Sequence, residues 1–278
     1  MPVFQLHKSY TGAVYYKHEL LSTEPVFHGF FTRIGGKSKG IFSHLNTSLR
    51  TADLEDNVIY NRQIVKNSLI HDEHQLITLH QSHGNKVVSI NSEEIKNGVY
   101  KDTELQADGL VSKDKNVLLG ILTADCAPLL MADVDAGVIG ACHAGWKGAA
   151  SGIIENTINA MCNIGAKKKN IRCVIGPSIS QNSYQVGADF RDIIIEKTPS
   201  AKNLFMPDTE ASISSGINKF LFDLSGFCCL KLEDAHIKQY DIIDIDTYQN
   251  HDLLFSYRLS CHQKEDDYGR QISVIGIR

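Results

Sequence analysis

The sequence predicts a single mixed α/β domain spanning residues 1–278. Three observations carry that expectation. A chain of 278 residues with 42% hydrophobic content can bury a sizeable core. Short β-rich runs alternate with segments of helical spacing along the whole length, without internal repeat, low-complexity stretch or linker. Near the centre, two apolar runs, Pro128 to Met131 and Val138 to Ala141, flank the turn-type cluster Asp133-Val134-Asp135-Ala136-Gly137, the pattern of a β-hairpin.

Taken in order, Val14-Tyr15-Tyr16 and Val26 to Phe31 are strand candidates, the second running into the basic loop Thr32 to Ser38. Gly36-Lys37-Ser38 matches the tail of a phosphate-binding P-loop, but position 31, where that motif needs its first glycine, is Phe. Arg33 is retained as an anion-contacting candidate. Asn46 and Arg50 follow in a polar loop, and Val58, Ile64, Val65 and Leu69 predict a helix over Asn57 to Leu69. Leu76 to Leu79 and Val87 to Ile90 are β-rich runs around His80-Gln81-Ser82-His83-Gly84, which places two histidines at a strand end or in the following turn. Asp108 to Val111 and Val117 to Leu122 feed the hairpin, the second being apolar on both faces. Beyond it, a helix is expected over Ala149 to Met161, with its N-terminus against Lys147-Gly148, where free N–H groups and a lysine suit an anion. Ile171 to Ile175 is a strand, Ala188 to Lys197 a helix, and Asp223 caps another helix through Leu232. Leu253 to Arg258 puts an arginine at a strand end, and Gln271 to Ile277 is the last strand.

The hairpin holds the chemistry. With its centre between Val134 and Asp135, Cys126 pairs with His143, and opposed Cβ atoms lie roughly 4.5 to 5.5 Å apart, near enough to share a metal ion or a proton. A buried apolar cysteine beside an unrelated histidine has the same pattern. Asp125 before the cysteine, and Ala-Gly-Trp-Lys-Gly after the histidine with the only tryptophan, favour a loop that a ligand approaches. A third ligand would come from His83 or His80. Zinc accepts cysteine and histidine alike, and three protein ligands with one open position mark a catalytic site.

Composition excludes other classes. A net charge of −4 lacks the basic field of nucleic-acid or membrane-surface proteins, and Lys167-Lys168-Lys169 reads as a solvated helix end. No apolar run reaches transmembrane length, and Gln5, His7 and Lys8 argue against a secretory signal. Together these two points lead to an expectation of the cytoplasm, and seven irregularly spaced cysteines, with Cys228-Cys229 adjacent, point to reduced thiols rather than a disulfide framework.

The motifs HGFFTRIGG, LHQSHGNKV, TADCAPLL, HAGWKG, GPSISQNSYQV and FSYR, in this order over nearly the whole chain, resemble the YfiH-type family. Its members carry the labels laccase-domain protein, multi-copper polyphenol oxidoreductase, peptidoglycan editing factor and zinc-dependent purine nucleoside phosphorylase. The resemblance implies a layered α-β-β-α sandwich with mixed sheets and a metal held by His83, Cys126 and His143, which selects His83 over His80. It also implies a polar substrate lining of Arg33, Asn46, Gln81, Asp125, Tyr184 and Arg258. Two departures stand out: Arg50 to Leu54 lacks an expected Gly-Asp, and Asp246 occupies a position where a cysteine is frequent, which removes a possible soft ligand.

Those labels disagree, and chemistry arbitrates. A multi-copper oxidase needs paired His-x-His motifs for its trinuclear cluster, and the twelve histidines form none, although copper could occupy an N/S site. The leading expectation is a zinc enzyme that phosphorolyses adenosine, inosine, guanosine and methylthioadenosine and deaminates adenosine. For deamination zinc would acidify a water, with Asp125 as proton carrier; for phosphorolysis Arg33, Lys147 and Arg258 would help zinc hold phosphate. The rivals are a thiol hydrolase with Cys126 as nucleophile and His143 as base, a peptidoglycan-directed version included, and a binding domain whose metal is structural and has a fourth protein ligand such as His80.

Overall fold

The computed structural model describes residues 3–70, 74–96 and 105–278, and most strands fall where the apolar runs place them. In chain order they are β1 Phe4–Lys8, β2 Val14–His18, β3 Val26–Phe31, β4 Gln75–Ile77, β5 Val87–Ser89, β6 Gly109–Ser112, β7 Val117–Thr123 and β8 Ala127–Asp133. They continue with β9 Val138–Ala144, β10 Arg172–Ile175, β11 Gln185–Gly187, β12 Phe205–Pro207, β13 Lys219–Phe222, β14 Gln239–Ile242 and β15 Gln271–Ile277. The helices are α1 Glu55–Leu69, α2 Ser92–Lys96, α3 Trp146–Ala150, α4 Ile153–Asn163, α5 Ala188–Lys197, α6 Thr209–Ser215, α7 Leu224–Asp234 and α8 Tyr257–Gln263.

Two six-stranded mixed sheets form, in the orders β1-β2-β3-β15-β7-β4 and β14-β10-β8-β9-β6-β5. Alternation along each strand decides what every face covers. Leu119 of β7 and Leu130 of β8 meet between the sheets with Phe30, Ala141 and Ile275. Their neighbours point outward: Leu118 packs with Ile64 and Val65 of α1, whereas Leu129 packs with Ile154 and Ile158 of α4 and Phe227 of α7. Helices thus cover both outer faces, giving the α-β-β-α order the sequence resemblance implies. A further antiparallel sheet, β11-β13-β12, was not anticipated from the pattern; its stacked Phe205 and Phe222 extend the outer core around α5 and α7.

Three expectations need correction. Gly137 takes a left-handed turn conformation (φ 62°), so the hairpin centre moves one residue later and His143 pairs with Pro128 rather than with Cys126. Moving the centre by one residue shifts partners by two, and a period of two keeps Cys126 on the face of His143. The helix expected from Ala149 is broken: Gly152 sits at φ 92°, separating the five-residue α3 from α4, so Lys147 lies inside a single short turn of helix and not at the start of a long one. Arg258 is on α8, not at a strand end, because Ser256 caps a helix by accepting the Leu259 N–H.

All seven cysteines are free thiols. Among the described residues, no helix is long and apolar enough to cross a membrane.

Away from the hairpin's ligand end, β3 buries His28, whose Nε2 accepts the His18 backbone N–H at 2.9 Å. Burial, reinforced by nearby Lys17 and His18, lowers its pKa to about 3. The unfolded chain takes up that proton at about 6.5, so protons favour unfolding between these two values. The stability from the neutral imidazole is complete above pH 6.5 and falls by about 1.4 kcal/mol per pH unit as the pH drops toward 3. His28→Gln, which keeps an acceptor but does not titrate, is expected to remove about one proton from the uptake on unfolding between pH 6 and 4. Denaturant melts across that range check it, and an unchanged slope would exclude His28 from the acid response.

Candidate metal centre and its two chambers

Three segments bring His83, Cys126 and His143 together, with one ligand atom from each lying within 4.8 Å of the others. His143 comes from the end of β9, Cys126 from the residue before β8, and His83 from the loop after β4. Cys126 Sγ lies 3.8 Å from His83 Nε2, and the two imidazoles stand edge to face with centroids 4.7 Å apart. Among the described residues, His80 does not join this group, so the fourth protein ligand that a closed structural site requires is missing from it.

Asp108, just before β6, organises these candidate ligands, a role no local sequence pattern signals. Its Oδ1 is 2.8 Å from His143 Nδ1 and accepts the His83 backbone N–H at 2.9 Å, while Oδ2 accepts the N–H groups of Ser82 (3.1 Å) and Gly84 (2.7 Å). One fully buried carboxylate thereby fixes the loop of one histidine and the ring of another. Burial would raise its pKa, but His143 and the loop N–H groups outweigh this and hold it below the ordinary carboxylate value. A carboxylate on Nδ1 leaves the Nε2 lone pair of His143 for a metal.

The thiol is primed as well. Burial opposes ionisation of Cys126, yet His143 and His83 lower its pKa to about 6; burial likewise opposes charge on His143, and Cys126 with Asp108 raise it to about 9. A metal would displace the imidazolium proton and keep the thiolate. Gly145 leaves the room: a Cβ there would stand 2.8 Å from His83 Cδ2 and 3.0 Å from Cys126 Sγ. Two imidazoles, a ready thiolate, an orienting carboxylate and a cleared cradle fit zinc, and the same donors accept copper.

Two chambers meet at this cluster. The larger, about 510 Å³, is lined by Trp146, Lys147, Tyr184, Tyr257, Arg258 and Tyr268 together with Asp125 and Leu224. The smaller, about 150 Å³, shares His83, Ala124, Cys126 and Tyr268 with it and adds Ser48, Arg50, His80, Gln81, Thr123 and Arg270.

Asp125, at φ 81°, is almost wholly buried; its oxygens accept Thr247 Oγ1–H and the Arg258 N–H, both at 2.6 Å. Desolvation raises its pKa, partly offset by those hydrogen bonds. Arg258 also donates to the Gln185 carbonyl at 3.0 Å and lies over Tyr184. Asp246 accepts from Ser180 and Ser183 and so holds the loop that leads into Tyr184 of the larger chamber.

Two expected substrate contacts lie elsewhere. Arg33 donates to the carbonyls of Ser43, His251 and Ile41 and stacks on Phe255; backbone acceptors absorb its guanidinium, and it lines neither chamber. Asn46 is fully buried and holds its own loop through Thr51 and Asp53. Gln81 lines the smaller chamber, but its amide clamps both backbone groups of Leu122. Trp146, already notable in sequence, is joined by Tyr257 and Tyr268, whose role only tertiary proximity reveals.

The family model described as multi-copper polyphenol oxidoreductase laccase matches residues 27–278. The chain belongs to this family. Members of this YfiH-type group include a purine nucleoside phosphorylase of Rickettsia conorii, 31% identical over 253 residues that cover 91% of this chain and 97% of that protein. The purine nucleoside phosphorylase YlmD of Bacillus subtilis is 29% identical, covering 92% and 90% of the two chains. The crystal structure of the hypothetical protein YfiH of Bacillus licheniformis aligns with a TM-score of 0.85 at 29% identity over the full length of both chains.

Proposed function

We propose that this YfiH-type protein is a cytoplasmic zinc-dependent purine nucleoside phosphorylase that also deaminates adenosine. The observation that carries the proposal is a three-ligand His-Cys-His cluster opening onto an aromatic, cation-bearing chamber of about 510 Å³, in the size range of small-molecule sites. Relatives named purine nucleoside phosphorylase over most of their length support the substrate class. A trinuclear copper cluster would need further histidines, and among the described residues the metal-capable group is this one cluster.

Zinc, when bound by His83, Cys126 and His143, would supply a Lewis acid and lower the pKa of water toward neutrality. The chain's own groups divide the remaining work. Trp146, Tyr184, Tyr257 and Tyr268 offer flat faces to a purine. Lys147 and Arg258 give the same chamber positive charge. Asp125, raised in pKa by burial and lining the chamber, would hold a proton on its carboxyl for the departing base. Adenosine, inosine, guanosine and methylthioadenosine share the purine and ribose that these residues would contact, and the amino group of adenosine is what deamination would remove.

Metal-analysed protein incubated with inosine and phosphate is expected to release hypoxanthine and ribose 1-phosphate, and His83→Ala is expected to lose that product together with the metal. Absence of ribose 1-phosphate from the zinc-loaded wild type, or undiminished product from His83→Ala, would refute the proposal. Ammonia release from adenosine tests the deaminase half separately. A thiol hydrolase acting through Cys126, His143 and Asp108 is the second reading, favoured by the His143–Asp108 contact of 2.8 Å. It predicts turnover that survives chelation.

A further inference from the structure

We propose that the smaller chamber is an oxyanion site that holds inorganic phosphate, while the larger chamber takes the nucleoside; this assignment rests on the phosphorolysis reading. The first support is charge. Arg50 and Arg270 line the smaller chamber with His80, and among the described residues no aspartate or glutamate lines it. Its volume of about 150 Å³ suits a tetrahedral oxyanion and is too small for a purine nucleoside.

The second support is preorganisation. Arg270 donates through Nη1 to Ser48 Oγ at 2.9 Å and to the Arg50 carbonyl at 3.2 Å, and its guanidinium lies 4.4 Å from the Tyr268 ring centroid. Its backbone N–H is held by Asn46 Oδ1 at 3.0 Å. A guanidinium fixed in this way loses little freedom on binding a planar or tetrahedral anion. Asn46, expected in sequence to touch substrate, acts on it through Arg270.

The third support is independent of the arginines. Thr123, 2% exposed at the end of β7, lines the same chamber, and its Oγ1 has no hydrogen-bond partner. An unsatisfied buried hydroxyl costs about 1 to 3 kcal/mol, and an oxyanion beside it would accept that O–H. Lys147 and Arg258, by contrast, belong to the larger chamber, where aromatic faces dominate.

The shared wall of His83, Ala124, Cys126 and Tyr268 then marks where the reactants meet. A phosphate oxygen forms the bond to C1′ of the ribose as the C1′–N9 bond breaks. Its electron pair leaves with the purine, which takes up a proton, and the products are ribose 1-phosphate and free base.

Initial rates with inosine at varied phosphate test the assignment. Arg270→Met is expected to raise the phosphate KM by about 10- to 100-fold and Thr123→Val by about 3- to 10-fold, with the inosine KM within twofold of wild type. Thr123→Ser, which restores the hydroxyl, is expected to recover wild-type behaviour. Unchanged phosphate KM in both Arg270→Met and Thr123→Val would overturn the proposal. Calorimetric titration of the metal-loaded protein with inorganic phosphate alone reads the site without turnover. Binding by wild type that Arg270→Met abolishes supports the oxyanion site even if no ribose 1-phosphate forms, which would refute only the phosphorolysis reading. Equal binding by both proteins overturns the site, and so does binding of adenosine 5′-monophosphate without any of inorganic phosphate, because the chamber would then take a nucleotide's phosphoryl group.

Discussion

Cys126→Ser is expected to strip the protein of its metal and to lower phosphorolysis by about 10³-fold, equivalent to ~4 kcal/mol of transition-state stabilisation. A serine hydroxyl does not ionise near neutral pH, whereas Cys126 is held to about 6 against the opposing effect of burial by His143 and His83. The substitution therefore removes one negative ligand of three and leaves two imidazoles, too few for the tetrahedral set with one open position. Elemental analysis of protein purified without added metal measures the first consequence, and the inosine assay the second. The same experiment separates ligand from nucleophile. For a ligand, chelation of the wild type abolishes turnover, zinc restores it, and bound zinc protects Cys126 from alkylation. For a nucleophile, alkylation inactivates with or without chelator. Full metal occupancy in Cys126→Ser would show that the thiolate is not a ligand.

Much of the frame was legible because burial on both faces leaves a local signature. The apolar run of β7 and the hairpin of β8 and β9 were visible as such, and Asp223 does cap α7, accepting the Gly226 N–H at 2.7 Å. The His-Cys-His cluster was legible in two steps: the hairpin, read with its centre one residue early, set Cys126 opposite His143, and the family motif chose His83. The exact partners were not legible, since a turn's centre depends on which residue accepts a left-handed backbone, and Gly137 does so here. Nor was the break before α4, where apolar spacing continues across Gly152. Side-chain roles were the least legible. Arg33 and Arg270 are equally cationic in sequence, and only the folded chain shows the first spent on Ser43, His251 and Ile41 and the second turned toward the smaller chamber. Asp108 had no local cue, because its histidine partner lies 35 residues away.

Asp108→Asn is expected to weaken zinc binding by about 10- to 100-fold, the usual consequence of losing the group that orients a ligating histidine. The carboxylate now serves four N–H donors with acceptor oxygens on both sides: His143 Nδ1 and the His83 N–H at Oδ1, the Ser82 and Gly84 N–H groups at Oδ2. An asparagine keeps one oxygen. If its amide nitrogen faces the loop, the Ser82 and Gly84 N–H groups lose their acceptor inside the protein, at about 1 to 3 kcal/mol for each buried group. If it faces His143, Nδ1 must become an acceptor, the ring proton moves to Nε2, and the lone pair meant for the metal is gone. The first orientation costs the His83 loop two of its backbone anchors, and the second removes the shared acceptor that now couples the two histidines. Competition with a chromogenic chelator measures the affinity, and ¹⁵N chemical shifts of His143 report the tautomer, which a purely structural role for Asp108 would leave at Nδ1–H. Wild-type zinc affinity with an unmoved tautomer would mean that β6 and β9 hold His143 in place without the carboxylate.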